Sequence, residues 1–181
     1  MARLAAITSV DHVAGEARPV AEAIVKSRGT LQGPFSMFLH APELAGRVAH
    51  LGAYVRFEGG LDMRVRVLAA LTVARELEAQ YVWGAQTGSA RRQGVPEATI
   101  TAIREGHTRG LPPGDAQIVD ATRRLLREHR LDDATFRALR ERLGAPGLIE
   151  LTGTIGYYAL LAMTVNACEL EAAPGAEALQ R

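Results

Sequence analysis

Apolar side chains recur at helical spacing along most of the chain, and no segment shows the strict alternation of a half-buried strand. Such spacing predicts a helix that begins at Pro42 and ends before Gly59, with an apolar face of Leu44, Val48, Leu51 and Val55. Asp62 is a good N-cap for a longer helix from Met63. Apolar residues surround most of that second helix, so we predict that it lies at the centre of the fold.

Glycine and proline mark the ends of further helices. One is predicted after Gly15, with Pro19 in its first turn and its end before Gly29. The central helix is predicted to continue from Glu78, because the composition stays helix-forming through Arg92, until Gly94. Val95-Pro96-Glu97 then opens another helix that reaches about residue 105.

The second half of the chain divides in the same way. Residues 106–114, with two prolines, form the clearest loop. Asp115 and Asp132 are predicted to cap two helices, the second of which ends at Gly144, and an apolar helix follows over residues 148–168. The total is seven or eight helices in an all-α, single-domain bundle over residues 1–181.

Composition narrows the class of protein. The chain has 181 residues, 48% of them apolar, with 21 basic against 20 acidic side chains. This length can bury one sizeable core without disulfides or metal ions. A net charge of +1 argues against a nucleic-acid partner, because such proteins concentrate positive charge.

Cysteine content and the longest apolar run bear on the compartment. Cys168 is the only cysteine, which excludes an intrachain disulfide and a Cys-x-x-Cys redox pair and fits a reducing cytoplasm. No segment near the start resembles a secretory signal. Glu150, Asn166 and several glycines and threonines interrupt the apolar run over residues 148–168. We therefore predict a buried helix there, and no membrane partner.

One stretch carries a family resemblance. Residues 61–100 read LDMRVRVLAALTVARELEAQYVWGAQTGSARRQGVPEATI. This segment resembles the carboxymuconolactone decarboxylase and alkylhydroperoxidase-D-like superfamily in its arginine-rich helix entry, its Ala-Arg-Glu-Leu run, its Gln-Tyr-x-Trp core and its Gly-Val-Pro. Segments around His40-Ala41-Pro42-Glu43, Arg56-Phe57-Glu58 and Gly156-Tyr157-Tyr158, together with Asn166, extend the resemblance to about residues 30–172.

The resemblance implies an all-helical subunit in a ring-like trimer or hexamer, with the pocket near a subunit boundary. It implies either a Cys pair activated by His and Glu, or a Glu and His that act on a lactone acid. Alignment on the Gln-Tyr-x-Trp core places the family's carboxylate, first Cys, second Cys or Glu, and His at Val67, Ala79, Val82 and Gln86. None of these four is ionisable, so we expect neither thiol chemistry nor the usual proton relay.

The predicted pocket is therefore apolar, with one neutral amide. Gln86 is its hydrogen-bond donor, and His40 is the only nearby candidate for proton transfer. Its walls are predicted to be two aromatic and two aliphatic side chains: Tyr81, Trp83, Val67 and Val82. We predict no metal site and no cofactor. The neighbouring carboxylates of Glu76 and Glu78 are expected to form surface ion pairs with Arg75 or with a partner subunit, although either could restore acid-base chemistry.

These features favour a cofactor-free lyase, isomerase or cyclase that orients a hydrophobic small molecule, with secondary metabolism as its setting. A non-catalytic homologue that binds a small ligand or serves as an assembly subunit is the first alternative. The second is a decarboxylase or lactone-opening enzyme that uses Glu76, Glu78 or His40 from shifted positions. The amount of apolar surface predicts a homo-oligomer, either the trimer or hexamer of the family or a dimer.

Overall fold

A computed structural model describes residues 2–13, 15–172 and 175–179. Within them the chain forms eight α-helices and no strand, which confirms the all-α prediction. Two short 3-10 turns, Val10–His12 and Gly15–Ala17, precede the first helix, and a π-helical turn, Tyr54–Glu58, follows the third. The helices are α1 Arg18–Arg28, α2 Pro34–Phe38, α3 Pro42–Ala53, α4 Met63–Glu76, α5 Gln80–Arg92, α6 Glu97–Arg104, α7 Pro113–Arg127 and α8 Asp133–Ala167.

Helix α4 lies at the centre, as its all-round apolar pattern predicts. All ten residues from Val65 to Ala74 are buried, and α4 packs against α5, α7 and α8. The Asp62 carboxylate caps its start by accepting hydrogen bonds from the amides of Arg64 and Val65 at 2.9 and 3.2 Å. The first amides of any helix have no carbonyl partner within the helix, and this cap satisfies two of them in α4. The cap therefore fixes the residue at which α4 begins.

Helix α8 consists of two arms. Gly144, with φ of +68°, interrupts it at the predicted place, and Pro146 begins the second arm, where a missing amide costs little. The Asp132 carboxylate caps the first arm through the amide of Thr135 at 2.8 Å. Among the described residues, α8 alone is long and apolar enough to cross a membrane. Half of its most apolar stretch is buried against other helices, as in a core helix.

The predicted cap of α7 is wrong. The helix begins at Pro113, with Pro112 as its N-cap residue, and Asp115 lies inside the first turn. Asp115 is only 4% exposed, and its carboxylate accepts two hydrogen bonds from Arg64, from Nε at 3.0 Å and from Nη2 at 2.7 Å. Asp115 therefore joins α7 to α4, a role that the sequence pattern alone does not reveal.

The chain breaks between α4 and α5, where a continuous helix was expected. Glu78 adopts φ of +49°, and the Ala79 amide donates to the Ala74 carbonyl at 2.8 Å. Asn166 of α8 donates from Nδ2 to the Leu77 carbonyl at 2.6 Å. A contact with a distant helix thus satisfies the end of α4, which explains why local composition did not reveal the break.

Residues 175–179 pack against α5. The side-chain amide of Gln80 donates to the Glu177 carbonyl at 2.8 Å and accepts from the Leu179 amide at 2.6 Å. The Glu177 carboxylate forms ion pairs with Arg91 and Arg104. These contacts attach the segment to α5 and α6, and Leu179 becomes buried.

Candidate functional site

A cavity of about 440 Å³ lies among α1, the π-helical turn, α4, α5 and α8. Helix α5 contributes a stripe at spacings of four, one, three and three residues, which fall on one helical face: Tyr81, Ala85, Gln86, Ser89 and Arg92. Helix α8 contributes Tyr157, Tyr158 and Leu161. The cavity is thus formed by segments far apart in sequence.

Four arginines line this cavity, each from a different element: Arg28, Arg56, Arg66 and Arg92. No aspartate or glutamate is among its described lining residues, and none of the four has an ion-pair partner in the described part of the chain. The neighbouring arginines behave differently, since Arg64 pairs with Asp115 and Arg91 pairs with Glu97. The prediction of an apolar pocket is therefore wrong, because the cavity holds four positive charges that no described carboxylate pairs with.

Arg66 connects α4 to the π-helical turn. It is 7% exposed, and its Nη1 donates to the carbonyls of Val55 and Arg56 at 2.7 and 2.5 Å, while Nη2 contacts the Met63 sulfur. Burial lowers the pKa of this guanidinium, although arginine stays charged at neutral pH. The turn is held by these bonds, so that Arg56 and Phe57 face the cavity, with the Arg56 guanidinium 4.8 Å from the Phe57 ring centre.

Arg28 lies over the Phe35 ring at 4.3 Å and donates from Nη2 to the Ala49 carbonyl at 2.8 Å. Its Nε is buried and has no partner in the described residues. The Tyr157 hydroxyl and Nη2 of Arg28 both lie against Gly52, where a Cβ would overlap the two groups. Arg28 therefore keeps a donor that an oxygen of a bound molecule can satisfy.

Three tyrosines supply hydroxyl groups. Tyr81 lies against Gly33, where a Cβ would come within 2.6 Å of its hydroxyl. The rings of Tyr157 and Tyr158 meet edge to face with centres 5.2 Å apart. Burial raises the pKa of all three, and that of Tyr158 to about 12. At neutral pH each phenol keeps its proton and can donate a hydrogen bond.

The raised pKa of Tyr158 predicts a loss of stability in alkali. The unfolded chain loses this proton near pH 10, whereas the folded protein holds it until about pH 12, so the free energy of unfolding falls across that interval. Ultraviolet absorbance should show one phenol that titrates last, and Tyr158→Phe should remove this step. Simultaneous titration of all four tyrosines near pH 10 would contradict the assignment.

Three of the predicted site residues line the cavity: Val67, Tyr81 and Gln86. Val67 is buried, whereas Gln86 is partly exposed, and its amide has no hydrogen-bond partner in the described part of the chain. Val67 and Gln86, which align with the carboxylate and the histidine that the resemblance implies, therefore line the same cavity. Their roles in binding or catalysis stay predictions.

The other three do not line it. Trp83 is completely buried because it follows Tyr81 by two residues, about 200° around the helix, and so faces the core. Val82 is 3% exposed and belongs to the core cluster. His40 is exposed, and its Nε2 lies 2.8 Å from the Ala5 carbonyl. His40 therefore contacts the N-terminal segment instead of serving the cavity.

The shifted acid-base residues also lie elsewhere. Glu76 forms ion pairs with Arg123 and Arg127 of α7, and Glu78 is exposed at the helix break. Neither lines the cavity. Sequence reasoning expected a surface ion pair for Glu76, with Arg75 or a partner subunit, whereas the Glu76 side chain is only 6% exposed and pairs with α7. It missed Arg28, Arg56 and Arg92 as cavity residues. Arg28 and Arg92 stand in last helical turns, where a cation is commonplace, so they gave no signal.

Comparison with known proteins agrees with this fold. Residues 42–111 match the model of the carboxymuconolactone decarboxylase family. The fold is similar to a solved alkylhydroperoxidase AhpD core, an uncharacterized peroxidase-related protein from Ralstonia eutropha JMP134, with a TM-score of 0.79 at 14% identity over 96% of this chain and 93% of that one. No curated protein matches the sequence. The match over residues 42–111 and the shared fold both agree with the resemblance to the carboxymuconolactone decarboxylase and alkylhydroperoxidase-D-like superfamily.

Proposed function

We propose that the protein is a cofactor-free cytoplasmic enzyme that performs a lyase-, isomerase- or cyclase-type reaction on a small organic acid with an apolar body. The observation that supports this is the set of four cavity arginines without a carboxylate partner. Uncompensated guanidiniums in a partly buried site are costly unless an anion pairs with them. The hydrophobic substrate expected from the sequence therefore needs an anionic group.

Thiol chemistry has no support at this site. Ala79 and Val82 occupy the aligned cysteine positions, and Cys168 follows the end of α8, outside the cavity lining. A reaction that depends on a thiolate pair would need two cysteines, and the chain has one. The peroxidase-related description of the structural neighbour therefore does not carry over to this chain.

The cavity residues fit a reaction assisted by orientation and charge. Guanidiniums hold the acid group of the substrate, while the protonated hydroxyls of Tyr81, Tyr157 and Tyr158 and the amide of Gln86 donate to an oxygen that gains negative charge. No histidine, aspartate or glutamate is present among the described lining residues to remove a proton near neutral pH. Holding the substrate in one reactive conformation supplies the remaining acceleration.

A panel of matched small molecules tests this proposal. Each aromatic or alicyclic carboxylate is compared with its neutral amide by isothermal titration at constant ionic strength. We expect the acids to bind at least about tenfold more tightly than the amides. Equal affinities within the pairs would refute an anion site.

Gln86→Ala separates catalysis from binding once a substrate is known. We expect the variant to fold normally, to bind the acid, and to turn it over about tenfold more slowly or worse, because a donor to the reacting oxygen is missing. Unchanged turnover would remove Gln86 from the reaction. Binding without any turnover in the parent protein would instead favour a ligand-binding homologue, an alternative supported by the lack of an acid-base pair in the cavity.

We also propose a homo-oligomer. Phe57 and Met63 line the cavity but remain 62% and 42% exposed, which is unusual for large apolar side chains beside a binding site. A second subunit over this side would cover both. Sedimentation of the purified protein distinguishes a dimer, trimer or hexamer from a monomer, and a monomer at working concentration would refute the proposal.

A further inference from the structure

A second cavity, of about 520 Å³, lies between α7 and the loop that follows α6. It shares no lining residue with the first cavity. The loop contributes residues 106–109 and α7 contributes three residues on one face: Asp120, Arg123 and Arg127. Neither the family resemblance nor the proposed reaction gives this place a role.

Arg123 is the central residue of this cavity. Its side chain is only 9% exposed, and its Nε donates to Glu76 Oε1 at 3.1 Å. Its Nη2 is buried and has no hydrogen-bond partner in the described residues. A buried donor on a charged group costs free energy when it is left unsatisfied, and a bound oxygen would remove that cost.

Glu76 compensates only part of the positive charge. It receives Nε of Arg123 on one oxygen and Nε of Arg127, at 2.5 Å, on the other, so one carboxylate serves two guanidiniums. Arg109 adds a third positive charge, and the described residues give it no ion pair.

Asp120 is the carboxylate among the described lining residues of this cavity. One oxygen is 3.8 Å from Arg123 Nη1 and the other is 3.5 Å from the Thr108 hydroxyl. His107 is paired with Glu105 at 3.0 Å, and its Nδ1 is buried without a partner. The described lining therefore holds three arginines and one carboxylate, and Glu76 and Glu105 lie outside it.

We propose that this cavity binds a phosphate group, either as inorganic phosphate or as the phosphoryl group of a small metabolite. Guanidiniums approach from two elements, the loop that contains Arg109 and the face of α7 that carries Arg123 and Arg127. The Thr108 hydroxyl, which makes a long 3.5 Å contact with Asp120, can turn to donate to the phosphate instead. A tetrahedral group presents oxygens in several directions and can accept from all of them, whereas a planar carboxylate presents only two. The proposal does not depend on the reaction in the first cavity.

His107 gives a local readout, because the described lining of the first cavity contains no histidine. Inorganic phosphate is titrated into the whole protein at constant pH and ionic strength, and the imidazole signals are followed by NMR, with His107→Asn as their assignment. We expect a saturable shift of the His107 signals, while those of His12 and His40 stay in place. A shift that rises linearly without saturation would refute the site.

Variants that keep Arg123 and Glu76 avoid unfolding the protein. Arg109→Gln with Arg127→Gln should weaken phosphate binding at least about tenfold, because two charge-assisted donors are lost. Arg124→Gln with Arg130→Gln removes the same charge outside the cavity and should leave the affinity unchanged. An equal loss of phosphate affinity in the two double variants would show that the affinity depends on net charge alone, and would overturn the proposal.

The source of the phosphate follows from a second titration. Tighter binding of glycerol phosphate than of inorganic phosphate would identify a phosphorylated metabolite as the ligand. Equal or weaker binding would identify inorganic phosphate. Failure of both to move the His107 signals would refute the site, without consequence for the proposed enzyme.

Discussion

Replacing Arg56 and Arg92 together by glutamine should weaken the binding of a small carboxylate by about a hundredfold, while the protein stays folded. Each guanidinium lost removes a charge-assisted hydrogen bond, worth about a factor of ten or more in a partly buried site. These two are the suitable pair because Arg92 is exposed, Arg56 is partly exposed, and neither forms an ion pair in the described residues. Isothermal titration of the acid and its amide measures the effect.

Arg91→Gln is the matched control. It makes the same substitution on the same helix, one residue away, but Arg91 pairs with Glu97 and Glu177 and does not line the cavity. Its affinity for the acid should equal that of the parent protein. A comparable loss in Arg91→Gln, or an equal loss of acid and amide binding in Arg56→Gln with Arg92→Gln, would show that the cavity charges do not select the ligand.

The helices could be predicted because their ends are encoded locally. Asp62 and Asp132 cap α4 and the first arm of α8, and Gly144 adopts the positive φ that glycine tolerates best. The same reasoning failed at Asp115 and Glu78. At both places a residue distant in sequence determines the structure. Arg64 donates to the Asp115 carboxylate, and Asn166 of α8 donates to the Leu77 carbonyl at the end of α4.

The candidate site was predictable only where the resemblance aligned it. Val67 and Gln86 both line the cavity, although helical periodicity alone could not bring α4 and α5 together at that point. Trp83 shows the limit of the motif, because its position beside Tyr81 in sequence suggested a shared wall, whereas the helix turns it into the core. Arg28, Arg56 and Arg92 escaped notice because their charge is ordinary in sequence, and only tertiary packing places them in a cavity whose described lining contains no carboxylate.

Glu76→Gln should lower the free energy of unfolding by about 3 to 5 kcal/mol, the largest stability effect we expect from one polar substitution. The Glu76 side chain is 6% exposed and is shared by Arg123 and Arg127, so its loss leaves the buried Arg123 with only the half-exposed Asp120 carboxylate, 3.8 Å away. Urea denaturation measures the change. Glu97→Gln, which removes a 62% exposed partner of Arg91, is the control and should alter the denaturation midpoint far less.

Phosphate should restore part of the stability lost in Glu76→Gln, because an anion in the second cavity would replace the missing carboxylate beside Arg123. Denaturation in phosphate and in chloride at equal ionic strength makes the comparison. Equal midpoints in the two salts would contradict this coupling.

At a temperature where the Glu76→Gln variant is fully folded, its turnover of the acid substrate should match that of the parent protein, since Glu76 does not line the first cavity. A loss of turnover there would revive Glu76 as the acid-base group of a decarboxylase.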